Sequence, residues 1–125
     1  IGGLKTTIAR SAENFKVIEN WVAKTEWADF LCDKPEARSF TSVCLKITDP
    51  WFADLKDQQA FIKALTKLLE TEKVAYDIAG YRDAPAGLRI WCGATVQGSD
   101  IEALMPWIDW AYQTAKLEEM KKLAA

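Results

Sequence analysis

Histidine is absent from all 125 residues of the sequence. This absence excludes the Ser-His and Cys-His nucleophile pairs, an imidazole general base and nearly every common catalytic zinc site. The sequence also lacks a glycine-rich phosphate loop, a Walker motif, a G-x-S-x-G elbow and an HExxH motif. None of the widespread motif-borne catalytic or metal sites can therefore be assigned to this chain.

The sequence also lacks a large excess of charge of either sign, since it has 16 lysines and arginines and 18 aspartates and glutamates. A nucleic-acid binder usually carries a clustered positive excess, so no nucleic-acid partner is expected. No apolar run approaches the ~18 residues of a membrane span, and the sequence shows no signal-peptide pattern, so no membrane partner is expected either. The chain begins with Ile1 rather than methionine, and we expect it to be a piece of a longer protein.

Cysteine is scarce and widely spaced, at Cys32, Cys44 and Cys92. No CxxC pair is present, so neither a zinc ribbon nor a thioredoxin-like redox motif is predicted. Cys44 and Cys92 lie within apolar runs, where a reduced and buried thiol that packs as a small hydrophobic side chain is expected. This pattern favours a reducing, cytoplasmic compartment.

The pattern of apolar residues predicts one α+β domain. Half of the residues are hydrophobic and 27% are charged, which is typical of a globular domain. The predicted elements, in chain order, are a helix over 4–24, a weak edge strand over 27–32, a strand over 43–47, a helix over 57–73, strands over 74–80 and 88–96 joined by a loop over 81–87, and a helix opened by Ser99 that kinks or restarts at Pro106. They form a small, mostly antiparallel sheet of three to four strands with helices packed on one face.

Two arginines are the most informative polar residues of this pattern. Arg89 falls on the strand face opposite the predicted core, and Arg82 lies at the end of the preceding strand. If these strands pair, both guanidinium groups reach one rim of the sheet, where they suit a ligand with two acidic groups. The alternative, which the pattern alone favours, is that both are ordinary surface arginines. Trp107 and Trp110 are candidates for a contact surface.

Four stretches of the sequence, in order and over nearly the whole chain, resemble one known family. They are IGGLKTTIARS, ARSFTSVCLKI, AYDIAGYRDAPAGLRIWCGATV and IEALMPWIDWA. These strings are similar to the C-terminal small domain of the phosphoserine aminotransferase family, a class-V group of the pyridoxal-phosphate enzymes. The resemblance assigns residues 1–125 to that small domain and implies that the large, cofactor-binding domain is absent from this chain.

The resemblance implies the activity of a parent enzyme in serine biosynthesis. Such an enzyme moves an amino group between glutamate and 3-phosphohydroxypyruvate, giving 3-phosphoserine and 2-oxoglutarate. Pyridoxal 5'-phosphate is bound by the large domain of a homodimer, and none of that domain's motifs occurs here. The resemblance therefore assigns no catalytic and no cofactor-binding residue to this chain, which alone is expected to be inactive.

The same resemblance assigns three substrate-binding residues. The family's arginine for the substrate carboxylate falls on Arg89, within GLRIWCG. Its glycine-histidine-arginine segment, which helps to hold the substrate phosphate, aligns with Gly80-Tyr81-Arg82. Arg82 inherits the phosphate role. Tyr81 replaces the histidine, and a phenol can donate a hydrogen bond to phosphate but carries no positive charge.

Two other interpretations remain open from the sequence. The first is a different class-V enzyme, such as a cysteine desulfurase, which needs a nucleophilic cysteine on a mobile loop; Cys32 is the one loop-edge candidate. The second is a stand-alone, non-catalytic module that binds an acidic metabolite or a partner protein.

Overall fold

The structure is a computed structural model that describes residues 3–32, 42–75, 78–79, 86–91 and 98–124. Within these residues the chain forms four helices and three strands. In order they are α1 (Gly3–Lys24), β1 (Ala28–Phe30), β2 (Ser42–Ile47), α2 (Pro50–Ala53), α3 (Gln58–Thr71), β3 (Gly87–Trp91) and α4 (Gly98–Ala124). The predicted α+β class is confirmed, and the short helix α2 is an addition to the sequence-based prediction.

The sheet is antiparallel throughout, in the order β1-β2-β3. Leu45 of β2 lies opposite Phe30 on one side and opposite Leu88 on the other. On the outer side of β3, Ala79 forms an antiparallel bridge to Leu88, and the Arg89 amide donates to the Ile78 carbonyl at 2.7 Å. Of the strand predicted over 74–80, the structure describes residues 74, 75, 78 and 79. Only Ala79 forms a bridge, and the predicted start of the strand at Val74 and Ala75 is wrong.

The strands alternate between a buried face and a second face, which is the expected period of two. The buried side chains of the sheet are Ala28, Phe30, Val43, Leu45, Leu88 and Ile90. Helix α1 packs beside β1 and α3 beside β3, while α4 contacts both α1 and α3. The helices therefore cover the face that carries the apolar residues, and Arg89 lies on the other face.

Aspartate residues are the N-caps of the two helices that follow β2. Asp49 accepts a hydrogen bond from the Trp51 amide at 3.3 Å, and Pro50 occupies the first turn of α2, where no amide donor is needed. Asp57 accepts from the Ala60 amide at 3.0 Å at the start of α3. Asp49-Pro50 thus ends the strand as predicted, and it also begins a helix.

The boundaries predicted at Gly87 and at Ser99 are wrong. Gly87 is the first residue of β3 rather than part of a loop, because it pairs with Lys46 of β2. A Cβ at this position would overlap the carbonyl oxygen of Leu45 and lie 3.3 Å from its carbonyl carbon, so only glycine allows this approach. Helix α4 begins at Gly98, one residue before Ser99, and it continues through Pro106 without a restart.

Candidate functional site

Arg89 lies at the centre of β3, on the sheet face opposite the helices. Its backbone is held on both sides, by pairing with Cys44 of β2 and by the hydrogen bond to Ile78. The side chain is half-buried, and its Nε atom is shielded from solvent. The sequence-based placement of Arg89 on this face is confirmed, and its side chain extends from a strand position whose backbone is held on both sides.

The polar neighbours of Arg89 on this face come from β1 and β2. Asp29 pairs with Lys46 across the strands, and Cys44 pairs with Arg89. Cys44 is half-buried rather than fully buried, because the alternation of β2 turns it away from the core. Burial raises the pKa of the Cys44 thiol, and the nearby charge of Arg89 partly opposes this effect. The thiol is therefore neutral near pH 7, which is the wrong state for a nucleophile.

The two other predicted substrate residues, Tyr81 and Arg82, lie outside the described residues, as does Cys92. Their roles stay predictions. The nearest described residue before them is Ala79, which bridges to Leu88, the residue next to Arg89.

A polar cluster that the sequence did not predict lies at the other end of β2. One oxygen of Asp49, Oδ2, accepts hydrogen bonds from the Tyr112 hydroxyl at 2.5 Å and from Lys116 Nζ at 2.7 Å. The Lys116 hydrogen bond, followed by that of Tyr112, holds the pKa of Asp49 below its usual value. Burial, together with the adjacent carboxylate, raises the pKa of Tyr112. The cluster therefore joins α4 to the start of α2 through charge-assisted hydrogen bonds.

A second carboxylate connects the same region of α4 to α1 and to Trp27. Asp109 of α4 accepts hydrogen bonds from the indole Nε1 of Trp21 at 3.0 Å and of Trp27 at 2.8 Å. The Trp27 ring stacks on Tyr112 with centroids 3.9 Å apart and planes 2° apart. Both oxygens of each carboxylate accept internal hydrogen bonds, and the two clusters connect α4 to α1, to Trp27 and to the start of α2.

The cleft beside Asp49 contains a lysine, an aspartate and aromatic rings, which are the residue types that hold pyridoxal phosphate in enzymes. Its volume is about 370 Å³. The lining consists of Glu26, Trp27, Asp49, Pro50, Tyr112, Gln113 and Lys116. Lys116 Nζ is occupied by its ion pair with Asp49 at 2.7 Å, whereas a Schiff-base lysine must leave its nitrogen open to the cofactor aldehyde. No arginine is among the described lining residues to hold the phosphate. The cofactor does not fit this cleft.

The Asp49 cluster predicts a specific pH dependence of stability. The lowered pKa of Asp49 gives stabilisation that is present above its ordinary pKa of about 3.8 and lost as the pH falls below it. The raised pKa of Tyr112 gives stabilisation that is present below its ordinary pKa of about 10 and lost as the pH rises above it. Tyr112→Phe is expected to cost about 1–3 kcal/mol at pH 7 and to weaken the alkaline loss. Urea unfolding of both proteins from pH 3 to about pH 11 measures this. Parallel curves for the two proteins would contradict the assignment.

Two classes of site are not found in the described part of the chain. No group of three or more histidine, cysteine, aspartate or glutamate residues is arranged there to hold a metal ion. None of the helices described has both the length and the apolar composition that a membrane crossing requires.

The chain is similar to phosphoserine aminotransferases in sequence and in structure. No protein-family model matches it. It is 53% identical over 116 residues to the phosphoserine aminotransferases of Methanosarcina mazei and of Methanosarcina barkeri, a match that covers 93% of this chain and 29% of each relative. It also superposes, with a TM-score of 0.61 and 15% identity, on a solved phosphoserine aminotransferase whose Schiff base was studied for radiation damage, over 85% of this chain and 27% of that one.

The fold is thus similar to that of one part of a solved phosphoserine aminotransferase. By sequence, the chain is homologous to one segment of the phosphoserine aminotransferase family. The chain spans less than a third of the length of the relatives that it matches.

Proposed function

We propose that this chain is the C-terminal, substrate-binding domain of a cytoplasmic phosphoserine aminotransferase. The parent enzyme transfers an amino group between glutamate and 3-phosphohydroxypyruvate, as a homodimer. The observation that carries this proposal is the 53% identity over 93% of the chain to two phosphoserine aminotransferases. Pyridoxal 5'-phosphate is held by the large domain, outside this chain, and this chain alone has no transaminase activity.

Arg89 binds the α-carboxylate that all four substrates and products share. A guanidinium group pairs with a carboxylate through two parallel hydrogen bonds, so its position and its plane both matter. The anchoring of the Arg89 backbone to β2 and to Ile78 supports this role, because it leaves little freedom to the base of the side chain. Burial of Nε from solvent reduces the competition of water for the bound anion.

The phosphate of 3-phosphoserine is bound by Arg82, with a hydrogen bond from Tyr81. A phosphomonoester carries about -1.5 to -2 charges near neutral pH, so one cation does not neutralise it. The missing positive charge comes from the large domain or from the second subunit. The bridge of Ala79 to Leu88 supports this division of roles, because it fixes the chain before Tyr81 against the strand that carries Arg89.

The division of roles predicts a selective defect for Arg82. In the parent enzyme, Arg82→Ala is expected to lower kcat/KM for 3-phosphoserine by about 10- to 150-fold, because a hydrogen bond to a charged group contributes about 1.5–3 kcal/mol. Turnover of glutamate, which has no phosphate, is expected to change less than about threefold. Steady-state kinetics of each half-reaction measures both values. Arg10→Ala, an exposed arginine on α1, is the matched control. An equal loss for the two amino acids would remove Arg82 from the phosphate site.

The mass of the native protein distinguishes the proposed aminotransferase domain from a stand-alone binding module. We expect the protein isolated from its source cells to have an intact mass of about three times 14.1 kDa or more, since this chain covers 29% of its relatives. A native mass near 14.1 kDa would show that no cofactor domain is joined to it. Binding of 3-phosphoserine by a protein of that size would then favour the module.

A further inference from the structure

Lys46 lies on the same face of the sheet as Arg89, the face opposite the helices, which we call the outer face. Val43 and Leu45 of β2 are buried in the core. The residues that alternate with them, Cys44 and Lys46, therefore belong to the outer face. Lys46 is half-buried, as Arg89 is, so its stem packs against neighbouring groups and its ammonium group has less freedom than that of an exposed lysine.

Two backbone hydrogen bonds show how closely Cys44 and Arg89 approach each other on this face. The Cys44 carbonyl accepts from the Leu31 amide at 2.9 Å, on the side of β1. The Arg89 amide donates to the Ile78 carbonyl at 2.7 Å, on the side of β3 away from β2. Cys44 and Arg89 lie opposite each other and direct their hydrogen bonds away from each other, so they form a non-hydrogen-bonded pair. The side chains of such a pair are closer together than those of a hydrogen-bonded pair.

Lys46 is the diagonal neighbour of Arg89 on the outer face. It lies opposite Gly87, and this pair is also a non-hydrogen-bonded one because the pattern repeats every two residues. Diagonal neighbours in an antiparallel pair are about 7–8 Å apart, which is within reach of long side chains. Gly87 has no side chain and Cys44 has a small one, so neither residue separates the lysine from the arginine. The two cations can therefore contact one small ligand together.

The charges around Lys46 favour an acidic ligand. Two positive charges at neighbouring positions of one face repel each other, and an anion that contacts both removes this cost. Among the described residues of the outer face, the acidic one is Asp29, which lies opposite Lys46. Its Oδ1 accepts a hydrogen bond from the Phe30 amide at 2.7 Å. Because β2 lies between β1 and β3, Asp29 lies on the side of Lys46 away from Arg89 and does not come between the two cations.

We propose that Lys46 binds the side-chain carboxylate of glutamate and of 2-oxoglutarate, while Arg89 binds the α-carboxylate. This inference rests on the proposed function, which gives the phosphate of 3-phosphoserine a partner in Arg82 but names none for the second acidic group of glutamate. Three carbon atoms separate the two carboxylates of glutamate, so a ligand of this size extends from one cation to its diagonal neighbour. One ammonium group also matches the single charge of a carboxylate, whereas a phosphomonoester carries about -1.5 to -2 charges.

The test is steady-state kinetics of the parent enzyme with glutamate, glutamine and 3-phosphoserine in turn. Lys46→Met keeps most of the apolar stem and is expected to lower kcat/KM for glutamate about 10- to 150-fold, because it removes one hydrogen-bonded charge pair. Turnover of 3-phosphoserine is expected to change less than about threefold, which is the opposite selectivity to that of Arg82→Ala. Glutamine has a neutral amide in place of the side-chain carboxylate. The ratio of kcat/KM for glutamate to that for glutamine is therefore expected to fall about tenfold or more, whereas a purely structural role would leave this ratio unchanged.

Two variants serve as controls for Lys46→Met. Lys46→Arg keeps the positive charge at the same position and is expected to lose less activity with glutamate than Lys46→Met does. Lys67→Met removes an exposed lysine from α3, in the helical layer, and is expected to leave the kinetics with all three amino acids unchanged. Circular dichroism verifies the fold, and Lys46→Gln replaces Lys46→Met if that variant unfolds.

The outcomes distinguish this inference from the proposed function. An unmodified parent enzyme that does not transaminate glutamate would overturn both. An unmodified enzyme that does transaminate glutamate, together with a Lys46→Met variant whose ratio of glutamate to glutamine turnover is unchanged, would overturn the role of Lys46 alone. Equal losses for glutamate and 3-phosphoserine in Lys46→Met would also overturn that role.

Discussion

Replacement of Arg89 by alanine in the parent enzyme is expected to lower kcat/KM about 10- to 150-fold for glutamate and for 3-phosphoserine alike. Both amino acids carry the α-carboxylate that Arg89 is proposed to bind, so both half-reactions are expected to lose the same interaction. The measurement is steady-state kinetics with each amino acid in turn. Unimpaired turnover of glutamate would refute the role of Arg89.

Two further variants separate charge from geometry at this position. Arg89→Lys keeps the positive charge but loses the planar fork, so an intermediate loss is expected. Arg10→Ala removes an exposed arginine from α1, outside the sheet, and is expected to leave the kinetics unchanged. A lysine variant with the full activity of the parent would show that the two-bond geometry is unimportant.

Replacement of Gly87 by alanine is expected to destabilise the domain by about 3 kcal/mol or more. The added methyl group would overlap the carbonyl oxygen of Leu45, which belongs to the backbone of β2 and cannot rotate away. Strand β3 must then separate from β2 at the end where it pairs with Lys46. Thermal unfolding followed by circular dichroism measures the effect, and a drop of about 10 °C or more is expected.

The control for Gly87→Ala is the neighbouring change Ala86→Gly. Ala86 is half-buried, and the loss of its methyl group adds no overlap, so a cost of about 1 kcal/mol or less is expected. A Gly87→Ala protein that unfolds within about 2 °C of the unmodified chain would show that β3 accommodates a side chain there. Because Gly87 lies two residues before Arg89, its substitution is also expected to displace that arginine, the proposed substrate ligand.

Much of the fold could be predicted from local sequence patterns. The helix over 4–24 and the strand over 43–47 repeat their apolar residues at the periods that one buried face imposes, and both are confirmed. The wrong boundaries depend on long-range contacts. Gly87 is a strand residue because β2 lies beside it, and nothing in its own neighbourhood indicates that. Continuity of α4 through Pro106 depends on packing against α1 and α3, which outweighs the lost amide hydrogen bond.

The candidate site likewise has one part that local sequence patterns predict and one part that they do not. Alternation in β3 was enough to place Arg89 on the face away from the core, since that inference needs only its immediate neighbours. The Asp49 cluster could not be predicted, because its members are separated by 63 and 67 residues and none of them belongs to a motif. The aspartate before Pro50 did carry one local signal, that of a helix N-cap, which accounts for α2 and not for Tyr112 or Lys116.

The central claim, that this chain is a working substrate-binding domain of phosphoserine aminotransferase, is tested most directly by exchange. The matched segment of the Methanosarcina mazei enzyme, which is 53% identical, is replaced by this chain, and transamination between 3-phosphoserine and 2-oxoglutarate is measured. We expect activity within about tenfold of the unmodified enzyme, and its loss when the exchanged segment carries Arg89→Ala. A chimaera that folds and holds pyridoxal phosphate but does not transaminate would contradict the account.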